Sequence, residues 1–108
     1  MIDWNRVSAL REEVGFEDFD EVVEIFLEEV DGEIGQLANE PGDGLAERLH
    51  FLKGSALNLG FRQFSNLCKE GELCVAEPGC VDVDALVTCY QASREEFLNE
   101  VQNRFADG

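Results

Sequence analysis

Apolar residues recur every three or four positions along most of this chain, and short polar breaks containing glycine or proline separate the runs. That spacing is the mark of amphipathic helices. Trp4, Val7 and Leu10 predict a short helix over 3–14, with Asp3 as N-cap and Gly15 as its stop. Phe19, Val22 or Val23, Phe26, Val30, Ile34 and Leu37 predict a longer helix over 18–38. Glu21, Glu24, Glu28, Glu29 and Glu33 crowd its outer face, and Gly32 and Gly35 weaken its last turns by about 1 kcal/mol each relative to alanine. Asn39-Glu40-Pro41-Gly42 breaks the pattern, and Asp43 is a natural N-cap for a third helix over 44–60.

On the third helix Leu45, Leu49, Leu52, Ala56 and Leu59 share the inward face, and Gly60 ends it. A fourth helix is expected over 62–77, with Phe64, Leu67, Cys68, Cys74 and Val75 inward and Pro78-Gly79 closing it. So short a connection makes these two helices antiparallel neighbours, and Gly71 is read as a point of close helix–helix approach. A fifth helix over 83–105 starts after Asp82 as N-cap, with Val83, Leu86 or Val87, Tyr90, Phe97, Val101 and Phe105 as its stripe. No sustained alternation predicts strands, and no internal repeat or linker divides the chain. The predicted fold is all-α: a single domain over 1–108, an antiparallel four-helix bundle with a short extra N-terminal helix.

A chain of 108 residues with 44% hydrophobic content can bury one core. Its net charge of −16 disfavours nucleic acid and anionic membrane surfaces as partners and opposes self-association, so a monomer is expected. Four of the eight basic residues, Arg48, Lys53, Arg62 and Lys69, fall between 45 and 69, where Glu47 is the sole acid. This predicts a local positive site in an acidic protein, and the segment also holds the only histidine, His50. No leader pattern and no membrane-length apolar run is present. Cys68, Cys74, Cys80 and Cys89 form no CxxC pair, so neither a metal site nor a disulfide framework is expected. Cys68 and Cys74 read instead as small buried hydrophobes, and a reducing cytoplasm as the compartment.

His50 lies off the buried face, with Lys53, Gly54 and Leu57 beside it at i+3, i+4 and i+7. Neutral imidazole is a nucleophile near pH 7 and can accept a phosphoryl group on one ring nitrogen while donating from the other. Lys53 supplies a mobile point charge for the transferring oxygens. Gly54 removes a side chain, so that a partner's backbone can approach. Ser55 falls on the far side of the helix. No phosphate-cradling GxxxxGK[ST] loop occurs, and the chain is too short to house an ATP-binding kinase domain beside the bundle.

The string His50-Phe51-Leu52-Lys53-Gly54-Ser55-Ala56-Leu57-Asn58-Leu59-Gly60 closely resembles the motif H-x-x-K-G-[SA]-[SA]-x-x-[LIV]-G of histidine-containing phosphotransfer (HPt) domains. The likeness extends over nearly the whole chain. It implies a helical bundle whose exposed histidine is phosphorylated on Nε2 and serviced by receiver domains. His50 matches the phosphoacceptor, Lys53 the family's lysine, Gly54 the clearance glycine and Gly60 the terminal glycine. Many members carry glutamine or glutamate 22 residues after the histidine, here Glu72, where a carboxylate could accept from Nδ1–H and leave Nε2 free. Lys69 adds to the positive field, and Leu57, Phe61 and Lys69 are the expected partner-facing residues.

The resemblance implies a phosphorelay intermediate, with receiver domains and hybrid or chemotaxis-type histidine kinases as partners. It implies no cofactor on this chain, because the metal of such transfers is expected on the receiver. Two other readings stay open. One is a non-catalytic receiver-binding module. The other is a phosphotransfer domain of a chemotaxis-type kinase, labelled in trans by a separate ATP-binding domain.

Overall fold

The computed structural model describes residues 2–39, 44–77 and 79–104. Five helices run through them: α1 (Trp4–Val14), α2 (Phe19–Asn39), α3 (Leu45–Leu59), α4 (Arg62–Cys74) and α5 (Val83–Arg104). Among the described residues no strand forms, and the extended pairing is a single bridge between Ile2 and Phe61.

Side-chain capping explains two of the helix starts. The Asp3 carboxylate accepts from the Arg6 amide at 3.3 Å to open α1, and Asp82 accepts from the Ala85 amide at 3.0 Å to open α5. At the start of α3 the expected cap, Asp43, lies outside the described residues, and Gly44 occupies the N-cap in the left-handed region at φ 72°. Phe105 and Pro78 also lie outside them.

The core is assembled from one stripe per helix. Val7 and Leu10 of α1 pack against Phe19, Val23, Val30, Ile34 and Leu37 of α2, Leu49, Leu52, Ala56 and Leu59 of α3, Phe64 and Cys68 of α4, and Leu86, Tyr90 and Phe97 of α5. Leu27 joins the α2 stripe, while Phe26, expected in it, is only partly buried. Burial pushes the Cys68 thiol up to about 12, with Cys89 nearby adding to the effect. Tyr90 fixes α5 to α2: its hydroxyl donates to Asp31 Oδ1 at 2.5 Å, and Arg94 Nε lies 3.3 Å from the same oxygen. Burial first, and then Asp31, raise the phenol above its ordinary value.

Two departures from expectation concern cysteine and the end of α4. The helix stops at Cys74 rather than at 77, and Cys74 is joined to Cys80 by a disulfide. Cys74 is therefore not the free buried thiol its helical pattern suggested. The chain turns after Cys74, with Glu77 N–H bonding Cys74 C=O at 2.9 Å and Cys80 N–H bonding Glu77 C=O at 3.2 Å. This reversal brings the two Cα atoms to 5.9 Å, a proximity that depends on the turn and not on the spacing in sequence.

α3 and α4 form the hairpin that carries the site. Gly60 ends α3 at φ 77°, its N–H bonding Leu57 C=O, while Phe61 N–H bonds Ala56 C=O at 2.8 Å. A side chain at Gly60 would lie 2.6 Å from the Asp3 carbonyl, so α1 seats directly on this turn. The two helices run antiparallel, since Phe61 meets Ala56, Ser65 Oγ donates to the Lys53 carbonyl at 3.5 Å, and Gly71 faces Leu49. At Gly71 a Cβ would come to 3.0 Å from Leu49 Cδ1, which makes it the expected point of close approach. Among the described residues no helix is long and apolar enough to cross a membrane.

Candidate functional site

Burying Leu49, Leu52, Ala56 and Leu59 turns the neighbouring strip of α3 outward, and His50 stands on it with 75% of its side chain exposed. Lys53, Gly54 and Leu57 follow on the same strip, with Leu57 54% exposed. Ser55 is turned inward and buried.

The antiparallel hairpin brings Glu72 of α4 to the imidazole. Its Oε2 lies 3.3 Å from His50 Nδ1, and its Oε1 lies 2.7 Å from Lys53 Nζ. One carboxylate thus bridges two of the three groups singled out by sequence, and the Lys53–Glu72 ion pair was not anticipated. Hydrogen bonding to Lys53 is the main cause that holds the Glu72 carboxyl below its ordinary value. Desolvation opposes it, and His50 adds to the lowering. An ionised carboxylate only accepts, so Nδ1 is the donor, and in the neutral ring the lone pair is then on Nε2. Ser65, from the first turn of α4, donates to the Lys53 carbonyl.

Gly54 behaves differently from Gly71. A Cβ built at Gly54 would meet nothing within 4 Å, so internal packing does not require glycine there. The position is a cleared patch one turn from the imidazole.

Phe61 corrects the expectation that it faces a partner. It is 0% exposed, because the left-handed turn at Gly60 directs it inward, where its ring centroid lies 5.5 Å from Phe97 and 6.0 Å from Tyr90. Lys69 is exposed on α4. The positive segment is also smaller than its composition suggests. Arg48 reaches Glu33 at 3.4 Å and Gln36 at 2.8 Å on α2, and Lys53 is taken by Glu72. Arg62 and Lys69 have no ion-pair partner among the described residues. Among those residues no group of three or more His, Cys, Asp or Glu is arranged to hold a metal ion.

The arrangement is an exposed nucleophile with a defined free nitrogen, a cation one turn away and a clear approach. Compared with protein families, residues 21–104 match the family model described as Hpt domain. Comparison with curated proteins and with solved structures finds no match.

Proposed function

The chain belongs to the Hpt domain family, whose members are phosphotransfer modules of two-component signalling, and from that premise we propose that it is a phosphorelay intermediate. It takes a phosphoryl group from the aspartyl phosphate of one receiver domain onto His50 Nε2 and passes it to the aspartate of another. The observation that carries this reading is the exposed imidazole whose Nδ1 is engaged by Glu72.

In the forward step the Nε2 lone pair attacks phosphorus, an N–P bond forms, and the P–O bond to the donor aspartate breaks and restores its carboxylate. No proton has to leave Nε2, because the ring proton already sits on Nδ1. The phosphorylated ring is imidazolium-like, and Glu72 stabilises it through that proton. The Lys53 ammonium has three donors, of which Glu72 uses one, leaving others for the transferring oxygens. The open space at Gly54 admits the receiver's backbone, and Leu57 and Lys69 lie on the surface it covers. The divalent cation such transfers use is assigned to the receiver's acidic pocket. We take the four long helices as the family's antiparallel bundle, the protein as a monomer, and the cytoplasm as its compartment, where reducing thiol pools would keep Cys74 and Cys80 open.

Mixing the protein with receiver domains charged by acetyl phosphate should yield an acid-labile, alkali-stable label, absent from His50→Gln. A label retained by His50→Gln would reject the assignment. Receiver binding without any label would leave the non-catalytic module as the better reading.

A further inference from the structure

Of the eight basic residues, six are engaged inside the molecule. Arg6 bonds Glu13 at 3.3 Å and Asn58 at 3.1 Å, Arg48 bonds Glu33, Lys53 bonds Glu72, and Arg94 bonds Asp31. Arg11 covers the Phe16 ring at 4.0 Å, and Arg104 the Trp4 ring at 4.3 Å. The two left over, Arg62 and Lys69, are both exposed and sit seven residues apart on α4, so they share one face about 10 Å apart along the axis. In a chain with 24 acidic residues, two cations on one face without acidic partners among the described residues are a patch to be explained.

Arg62 occupies an unfavourable place for its charge. It is the first residue of α4, where the positive end of the helix dipole disfavours a cation, and the first turn carries no acid and no side-chain cap. Local stability therefore argues against arginine here. The residue also lines a groove of about 580 Å³ with Asp3, Arg6, Leu57, Asn58 and Asn66. Its carboxylate, Asp3, caps α1, and Arg6 and Asn58 bond each other, so Arg62 is the cation of the groove with no ion-pair partner among the described residues. Leu57 links the groove to the strip of His50, about 10 Å away along α3.

We propose that Arg62 and Lys69, with the groove beside Leu57, form an electrostatic docking track for carboxylates on the partner receiver, set apart from the aspartate that exchanges phosphoryl with His50. This rests on the phosphotransfer reading and adds a determinant of partner choice: a receiver with acidic residues spaced along that direction is accepted, and one with basic residues there is repelled. Neither side chain is assigned a part in the chemical step.

The test is the double variant Arg62→Glu/Lys69→Glu in single-turnover transfer from acetyl-phosphate-charged receivers, titrating the receiver that labels the wild type. The half-saturating receiver concentration should rise by roughly tenfold or more at low salt, and the difference should shrink as salt is raised. The urea midpoint of the Arg62→Glu single variant should not fall, since an acid in the first turn of α4 is favoured. Unchanged half-saturation with normal labelling would overturn the track alone. Failure of every receiver to label the wild type would overturn the track together with the phosphotransfer reading.

Discussion

Glu72 holds two donors at once, one carboxylate oxygen toward Lys53 and the other toward His50, and its ionisation follows from that position. Because its carboxyl is lowered in the folded protein, its contribution to stability is complete above the unfolded value of about 4.3 and is lost as pH falls through the lower folded value. The stability difference between wild type and Glu72→Gln, read from urea unfolding, should therefore shrink as pH falls below about 4. A difference that is flat through the acid range would remove Glu72 from the bridge. The resemblance to HPt domains pointed to Glu72, 22 residues after His50, yet it said nothing of Lys53 on the same carboxylate. That required the register between α3 and α4, which the Gly60 turn sets and no periodicity encodes. Phe61 was misplaced for the same reason, since one left-handed residue decides whether the next side chain faces the partner or the core.

Two glycines in the hairpin make opposite demands at the level of helices. Replacing Gly54 by alanine puts a methyl group into open space and should stabilise α3 by up to roughly 1 kcal/mol through helix propensity. The same methyl intrudes on the docked receiver, and transfer at subsaturating receiver should weaken by about tenfold, the cost of overpacking a close interface. Gly71→Ala puts a methyl 3.0 Å from Leu49 Cδ1, and Leu49 is fully buried with little room to give, so stability should fall by about 1 kcal/mol despite the gain in propensity. Chemical denaturation and transfer rates measured together separate the two, and equal effects at both sites would contradict the distinction. The end of α4 offers a third test. Opening Cys74–Cys80 with a dithiol releases a loop closure worth about 2 kcal/mol, so the denaturation midpoint should drop while transfer through His50 persists. Loss of transfer on reduction would show that the site depends on the crosslink. Helix existence and most buried positions were legible in the three-to-four periodicity, and Asp3 and Asp82 in their capping chemistry. The disulfide was not, because it forms across a turn between Cys74 and Cys80 that only the folded chain brings together.

Acidic residues line the outer face of α2, and the two cations without ion-pair partners among the described residues, Arg62 and Lys69, lie on α4, with the imidazole on the helix between these surfaces. On the proposed function, such an asymmetry would orient an incoming receiver before contact, while the helical scaffold presents one nitrogen to it. The central claim is that His50 exchanges phosphoryl through Nε2 while Nδ1 remains protonated against Glu72. Long-range ¹H–¹⁵N correlation spectra of the ¹⁵N-labelled protein, recorded before and after transfer from a charged receiver, test this directly. Nδ1 should carry the proton beforehand, and the phosphoryl group should appear on Nε2 of His50 afterwards, with Nδ1 still protonated. A phosphoryl group on Nδ1, or on any residue other than His50, would contradict the account.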